Sequence, residues 1–481
     1  MKKALKVFLI LILTGFILSC FSYADEQKTS EGQKIIDGMK FKNIDFNFPS
    51  IGGEVEKYIL PNGLTVLIMP DRRLPLINID LIVKAGEVFE QKDIFGTASL
   101  CAEGLRSGGT KNYTADYIDK ELDYKSINIS FSSYSDYTGG GLNVLIKDFD
   151  QALRIFADMI MNPVFNEEKF KTDKMMFLDS IDRIEDNPGT LASVKFYNLV
   201  YGDHPYGWEY KKDAVEKITT DDLKKWHNKY FAPNNTIMAV SGDFDPLLLK
   251  EKLNEAFGDW ERKQVLFPDI PEPVEAPRKE CLIINKALAQ STVYAGDLGV
   301  RADTPDIMPL IVLDEIYGGG GFGSLLMYEL REKRGLTYGV YSSFGYPLLY
   351  TGLFYTNLKT ANKNTYKSIE LILDIMEELK KSGVTEKKLK QTKEKYINSF
   401  VFTMAQPSSV LYRLMLLEFY NLPRDYYSNY ISNIEKVTKE DILRCAQKYF
   451  HPEKIKIVIV GDAENIKDDM GKIAPVEVSD K

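Results

Sequence analysis

Histidine is scarce in this chain: among 481 residues there are only His204, His227 and His451. Zinc peptidases of the two-histidine type need a histidine pair one helical turn apart, as in His-Glu-x-x-His or His-x-x-Glu-His. The three histidines are too far apart for either motif. His227 follows Trp226 in a helical pattern and is interpreted as a partly buried structural residue, and His204 lies in the turn-rich segment YGDHPYGW.

Cysteine is also rare, with four residues in all. Cys101, Cys281 and Cys445 are far apart and lie inside apolar periodic segments, which predicts buried thiols rather than a disulfide framework. Gly-x-Ser-x-Gly, a phosphate-binding loop and a dinucleotide fingerprint are absent as well, so local signatures of these enzyme classes are missing. A catalytic triad assembled from distant residues leaves no such signature.

The chain has no basic excess, because its net charge is −8, and this disfavours nucleic acid as a partner. The apolar run VFLILILTGFIL follows three lysines at the start and predicts a signal peptide over residues 1–24. Two endings are open: cleavage after Ser22-Tyr23-Ala24, or lipidation of Cys20. Both predict export to the periplasm, soluble or lipid-anchored, with membrane contact only through Cys20.

Two stretches of the chain, residues 215–244 and 434–463, match without a gap at one offset of 219 residues. The match predicts two copies of one α+β unit. We expect a polar leader over 25–52, peptidase-like domains over 53–265 and 281–478, and an exposed, semi-rigid linker over 266–280. Each domain is predicted to be an antiparallel-rich sheet packed with helices, and the two to face each other as a clamshell.

Several elements are predicted by local patterns. Residues 56–86 read as two strands around the turn Pro61-Asn62-Gly63, and residues 126–148 as two more. A helix is expected from Thr97 to Arg106, and another from Glu167 to Glu185, ended by Asp186-Asn187-Pro188.

The most unusual stretch runs from Gly318 to Tyr346. A loop is predicted over Gly318, Gly319, Gly320, Gly321, Phe322 and Gly323. Ser324 then begins a short helix, Gly335 caps its end, and LTYGVYSSF has the pattern of a strand. This order predicts that Arg331 and Tyr338 lie close together at a helix-to-strand corner.

Five segments carry a family resemblance: PNGLTV, GTASLCAEGLRSGGT, EDNP, HPYG and LREKRGLTYGVYS. With them the chain resembles the pitrilysin (insulinase-like) metallopeptidases, especially the branch similar to the mitochondrial processing peptidase. The resemblance covers nearly the whole mature chain.

The resemblance implies a zinc motif, His-x-x-Glu-His, on the helix of residues 97–106, and a distal glutamate ligand on a later helix. At these positions the chain has Ser99, Ala102, Glu103 and Ser180. No metal is therefore expected on this chain. The segment also fits a core helix, with a buried stripe at Ala98, Cys101, Ala102 and Leu105 and a pairing of Glu103 with Arg106.

In the family, an arginine and a tyrosine seven residues apart act on the substrate and the transition state, and Arg331 and Tyr338 match them. The glycine-rich stretch resembles a substrate-guiding loop. The alternative is that Arg331 and Arg334 only complement a helix dipole, while Tyr338 packs in the sheet.

Together these features predict a non-catalytic, substrate-binding subunit of a two-chain periplasmic zinc peptidase. Its partners would be a peptide substrate and a homologous subunit that carries the zinc motif. A second hypothesis is a scaffolding homologue without a role in proteolysis, and a third is an independent peptidase with an unrecognised site.

Overall fold

The computed structural model describes residues 48–275, 278–345 and 348–480. The predicted signal peptide and most of the polar leader, including Cys20 and Ala24, lie outside the described residues. Two six-stranded mixed sheets, each with helices packed on it, form the rest of the chain. This confirms the predicted α+β fold with two similar units.

The first sheet has the strand order β1-β2-β6-β3-β5-β4, in which only β2 and β6 run parallel. Its strands are β1 Glu56–Ile59, β2 Thr65–Pro70, β3 Leu76–Val83, β4 Asn128–Ser133, β5 Thr138–Leu145 and β6 Thr236–Gly242. The prediction of two strands before residue 86 is wrong, because there are three. The break at Asp71–Pro75, tightened by an ion pair between Asp71 and Arg73, separates β2 from β3.

The second sheet has the order β12-β7-β11-β8-β10-β9, with β7 parallel to both β11 and β12. Its strands are β7 Glu280–Asn285, β8 Gln290–Leu298, β9 Thr337–Phe344, β10 Leu353–Ala361, β11 Lys456–Gly461 and β12 Val476–Ser479. Its last five strands, β7-β11-β8-β10-β9, correspond one by one to β2-β6-β3-β5-β4 of the first sheet. Strand β9 is therefore the counterpart of β4, at the edge of its sheet.

The helices that cover the sheets are listed here in chain order. They are α1 Thr97–Ser107, α2 Ala115–Lys125, α3 Phe149–Met161, α4 Glu167–Asp182, α5 Pro188–Tyr201, α6 Lys212–Lys217, α7 Thr220–Tyr230, α8 Pro246–Phe257, α9 Ile307–Asp314, α10 Thr365–Ser382, α11 Glu386–Phe400, α12 Pro407–Phe419, α13 Tyr430–Lys436, α14 Lys439–Tyr449 and α15 Ala463–Met470. Among the described residues no single helix is long and apolar enough to cross a membrane. The helices Glu386–Met404 and Pro407–Phe419 reach the required length and hydropathy only when taken together, and they are bent by 105° at their junction.

The internal repeat is visible in matching side-chain contacts. Thr219 and Thr438 each form a capping box at the start of α7 and α14. Lys174 donates to the backbone oxygens of residues 216 and 218, and Lys393, 219 positions later, donates to those of residues 435 and 437. The two halves thus share detailed contacts as well as topology.

Each half lends one helix to the sheet of the other half. Helix α5 packs on β8 and β11, where Leu191, Phe196 and Val200 are buried with residues of the second sheet. Helix α12 packs on β2, β3 and β6 of the first sheet. Asn187 caps α5 by accepting hydrogen bonds from two backbone N–H groups, so the segment predicted only to end a helix also begins one.

The connection between the halves is mostly exposed, as predicted, but one aromatic side chain of it packs on the first core. Phe267 packs against Phe89 and Tyr230, with ring centroids 4.8 and 5.7 Å apart. Leu266 and Val274, by contrast, are 65% and 83% exposed. An apolar side chain anchors this proline-rich segment on the first core, which composition alone does not reveal.

Candidate functional site

Helix α1 occupies the position where the resemblance places a zinc motif. Ala98, Cys101, Ala102 and Leu105 are at most 1% exposed, so the predicted core stripe is confirmed. Cys281 and Cys445 are buried free thiols like Cys101, as predicted. The inward face of α1 therefore serves packing.

Ser99, at the first histidine position, belongs to a polar cluster with Glu87 and Tyr210. Its hydroxyl donates to Glu87 Oε1 at 3.0 Å, and the Tyr210 hydroxyl donates to the same oxygen at 2.6 Å. Tyr210 is held between Phe95 and Phe177, with ring centroids 4.8 and 5.0 Å away. Burial raises the pKa of Glu87, although both hydrogen bonds act in the opposite direction.

The residues at the family's ligand positions do not fit zinc. Ala102 has no donor atom, and the Ser180 hydroxyl donates to the backbone oxygen of Phe177 at 2.7 Å. Glu103 is exposed and is the single carboxylate of the four. Zinc in proteins is bound by thiolates, imidazoles and carboxylates in sets of three or four. Within the described ranges no three His, Cys, Asp or Glu side chains are grouped so that they could hold a metal ion.

Arg106 and His227, two polar side chains near α1, both have partners within the chain. Arg106 pairs with Asp119, at 2.7 Å, instead of with Glu103 as predicted, because α2 brings Asp119 to its guanidinium. His227 is buried, and its Nε2 lies 2.7 Å from the backbone oxygen of Ile160, in keeping with a structural role. Burial lowers the pKa of His227 and of His204 to about 4 in each case, so both are neutral at pH 7.

The glycine-rich stretch is only in part a loop, which corrects the prediction. Gly318 and Gly319 end a π-helical turn, Glu315–Gly319, that continues α9, and Gly320–Gly323 form the connection. A Cβ atom on Gly318 would lie 2.5 Å from Ser342 Oγ, so the helix and β9 approach too closely for a side chain. Gly321 and Gly323 have φ angles of 56° and 127°, which favour glycine.

The connection is fixed by two lysines from α11. The Nζ atoms of Lys388 and Lys395 donate to the backbone oxygens of Gly323 and Gly320. Beneath it, Ser342 donates to the Asp314 carboxylate at 2.5 Å, and loss of solvent around this carboxyl raises the pKa of Asp314 to about 7. The exposed connection is thus attached to a helix that follows it by more than sixty residues.

The corner after the connection is built as predicted at both ends. Ser324 Oγ accepts a hydrogen bond from the backbone N–H of Met327, which makes Ser324 the N-cap. Gly335 has a φ angle of 62°, and Leu336 N donates to Leu330 O at 2.8 Å, as in a glycine C-cap. The middle, Met327–Glu332, is π-helical and not a regular α-helix, a feature that periodicity does not show.

Arg331, Tyr338 and Phe322 meet at this corner. The Arg331 guanidinium carbon lies 4.6 Å from the ring centroid of Tyr338 and 4.6 Å from that of Phe322. Tyr338 is 86% exposed and Phe322 66%. Across the described part of the chain, neither the Arg331 guanidinium nor the Tyr338 hydroxyl has a hydrogen-bond or ion-pair partner, whereas Arg334 pairs with Glu329. The guanidinium therefore packs on two aromatic rings, and its N–H groups are unpaired within the described residues.

A cleft of about 730 Å³ lies beside Tyr338, on one face of β8, β10 and β9. Tyr294, Tyr341 and Lys359 line it together with Tyr338. Strict strand alternation would put Tyr338 and Tyr341 on opposite faces. A bulge in β9, where Tyr338 and Gly339 oppose only Lys359, brings both tyrosines to the cleft. Sequence reasoning missed Tyr341 and Lys359 as residues of this cleft, because strand alternation alone does not reveal the bulge.

Comparison with known proteins agrees with this architecture. The model of the insulinase family (peptidase family M16) matches residues 66–210, and the model of the peptidase M16 inactive domain matches residues 217–396. A crystal structure of a peptidase M16 inactive domain from Pseudomonas fluorescens superposes with a TM-score of 0.77 at 28% identity, covering 85% of this chain and 98% of that one.

Three relatives show the range of names. An uncharacterised zinc protease of Rickettsia bellii is 31% identical over 316 residues, 63% of this chain and 73% of the relative. In Helicobacter pylori, the non-peptidase homologue YmxG is 24% identical over 78% of this chain and 87% of its own length. The zinc protease PqqE of the same bacterium is also 24% identical, over 82% and 90%. The resemblance expected from the sequence is confirmed, and this chain belongs to the insulinase-like M16 peptidase family.

Proposed function

We propose that this chain is the non-catalytic, substrate-binding subunit of a two-chain zinc peptidase in the periplasm. It supplies Arg331, Tyr338 and the glycine-rich stretch Gly318–Gly323 to a partner of the same family that carries the zinc motif. The substrate is an extended peptide, and the partner provides the metal-activated water.

The zinc half of the site supports the division of labour. Four positions that need two imidazoles and two carboxylates hold Ser99, Ala102, Glu103 and Ser180. The hydroxyls of Ser99 and Ser180 are engaged within the chain, by Glu87 and a backbone carbonyl. A chain with this donor set needs a second subunit to supply the metal.

The single observation that carries the proposal is the Arg331 guanidinium, which packs on two aromatic rings and has no hydrogen-bond or ion-pair partner among the described residues. Stacking restrains the side chain, so less conformational entropy is lost when a ligand binds. A restrained guanidinium can hold a peptide carbonyl or carboxylate through paired N–H groups. The exposed Tyr338 hydroxyl beside it can donate to an oxyanion that develops on the substrate. A scaffold needs neither group.

The relatives fit a pairing of this kind. Helicobacter pylori has both a relative named a non-peptidase homologue and one named a zinc protease, each about equally similar to this chain. We infer that a genome encoding this chain also encodes a zinc-motif homologue that binds it.

The test is to purify the full chain and the zinc-motif homologue of the same genome, separately and mixed. Zinc is measured by metal analysis and cleavage with a quenched fluorescent peptide library. We expect this chain to bind less than about 0.1 equivalent of zinc. We expect peptide cleavage by the mixture and none by this chain alone. Replacing the glutamate of the partner's motif with glutamine should abolish it. Stoichiometric zinc and full activity in the isolated chain would refute the proposal.

A further inference from the structure

The cleft beside Tyr338 has a counterpart at the same place in the first half. This first-half cleft, of about 560 Å³, lies on β3, β5 and β4, and its lining includes Asp80, Ser130, Asn143 and Arg413. The strand registers align the two clefts position by position. Asp80 opposes Gly141, which opposes Ser130, as Tyr294 opposes Asn357, which opposes Tyr341.

The two clefts have diverged in chemistry. By register, Tyr294 replaces Asp80, Tyr341 replaces Ser130 and Lys359 replaces Asn143. The exchanged helices begin beside both clefts, with Gly189 at one and Ser408 at the other. The repeat has therefore kept a cleft in each half. The first-half cleft pairs a carboxylate, Asp80, with a guanidinium, Arg413, whereas the cleft beside Tyr338 has the Lys359 ammonium group and no carboxylate among its described lining residues.

The cleft beside Tyr338 is suited to an anion. Lys359 is exposed and, as far as the described residues extend, pairs with no carboxylate. No Asp or Glu is among the described residues that line this cleft, although the chain carries a net charge of −8. The neighbouring Arg331, stacked on Tyr338, adds a second cation without an acidic partner. An anionic group entering this cleft meets the Lys359 ammonium group, and Arg331 adds positive charge beside the Tyr338 ring.

The rings give the cleft its shape. Tyr294 packs on Phe196 of the exchanged helix α5, with centroids 5.8 Å apart, so the other half of the chain fixes it. Tyr341 lies over Gly339, where a Cβ atom would approach its ring to 3.2 Å. Fixed tyrosine faces can contact the apolar parts of a peptide at low entropic cost.

We propose that this cleft selects peptide segments bearing a carboxylate, which Lys359 binds while Tyr294 and Tyr341 contact the adjoining residues. The inference rests on the proposed function in taking a peptide as the ligand. The carboxylate belongs either to an aspartate or glutamate side chain or to a peptide C-terminus, since both present the same two oxygens.

The test is direct binding of labelled nonapeptides to the purified full chain by fluorescence anisotropy. Three probes are used: a capped, amidated peptide with a central glutamate, the same peptide with glutamine, and the glutamine peptide with a free C-terminus. We expect the glutamate peptide to bind about fivefold more tightly than its amidated glutamine control. The affinity of the glutamate peptide should fall as the salt concentration rises. If instead the free C-terminus gives the gain, the source is the terminal carboxylate.

Lys359→Gln should reduce the preference to about one, while Lys363→Gln, at an exposed lysine on the following turn, should leave it intact. Equal binding of all three probes, no binding, or a preference that survives Lys359→Gln would overturn the inference. No partner and no cleavage enter this assay. If the mixture cleaves no peptide but the carboxylate preference is observed, only the peptidase role is refuted. If the mixture cleaves peptides but no carboxylate preference is observed, only the proposal about this cleft is refuted.

Discussion

Arg331 and Tyr338 show how far single residues can be predicted. Their proximity followed from Ser324 and Gly335, because caps at both ends of a short helix fix where the next strand begins. Phe322, the other ring on the Arg331 guanidinium, did not follow. Its position depends on Lys388 and Lys395, which hold the connection from a helix distant in the chain.

The glycines of the stretch serve two different purposes, which substitution can separate. Gly318→Ala should destabilise the chain by about 1–3 kcal/mol, because the new methyl group would meet Ser342 Oγ at 2.5 Å and Leu326 Cδ1 at 2.8 Å. Gly321→Asn should cost less than about 0.5 kcal/mol, because its φ of 56° suits asparagine and no atom lies within 4 Å. Urea denaturation midpoints measure both. Equal effects would contradict this assignment.

At the scale of elements, the repeat was predictable and some of its consequences were not. The offset of 219 residues and both capping boxes can be predicted from the sequence, because the motif residues recur without a gap. Helix α5 was missed because Asn187-Pro188 ends one helix and begins another. The π-helical turns were missed because their backbone is set by packing against β9.

Asp306 joins α9 to α14. It accepts hydrogen bonds from Arg444, Lys448 and Tyr449 at 2.6, 2.9 and 2.6 Å. Burial alone would raise the pKa of Asp306, but these three donors outweigh burial and hold it at about 2, below its usual 3.8. A depressed carboxyl pKa contributes stability above the unfolded-state pKa, and this contribution is lost as the pH falls.

Asp306→Asn should therefore lower the free energy of unfolding by about 2 kcal/mol at pH 7. The difference from the wild type should shrink as the pH falls from about 5 to 2, measured by urea denaturation at each pH. Asp303→Asn is the matched control, since its pair with Arg301 is exposed and contributes little. A difference that does not depend on pH would contradict this account.

At the scale of the whole molecule, the exchanged helices join the halves more closely than a linker does. Helix α5 covers the second sheet and α12 the first, so neither sheet is covered by its own half alone. The sequence predicted two similar units but not this exchange, because an amphipathic helix does not specify which sheet it packs on.

The exchange predicts how the separated halves behave. Residues 48–270 and 271–480, expressed apart, should each bind a hydrophobic dye and unfold without a cooperative transition, because the exposed sheet face is apolar. Expressed together, they should form one complex with a single calorimetric transition. The intact chain is the control. A half that alone unfolds cooperatively and binds no dye would show that the exchange is dispensable.

If this chain supplies half of an active site to a zinc-bearing partner, as we propose, substitutions in that half must slow cleavage by the complex. The most direct measurement is kcat/KM of the mixed complex with Arg331→Ala or Tyr338→Phe. Arg334→Ala and Tyr328→Phe, at an arginine and an exposed tyrosine near the same corner, are the controls, and size-exclusion chromatography establishes that all variants bind the partner.

We predict that kcat/KM falls about a hundredfold in the Arg331 and Tyr338 variants and changes less than about twofold in the controls. Undiminished cleavage by the complex with the double variant Arg331→Ala, Tyr338→Phe would contradict this proposal. The scaffolding role would then be the remaining hypothesis.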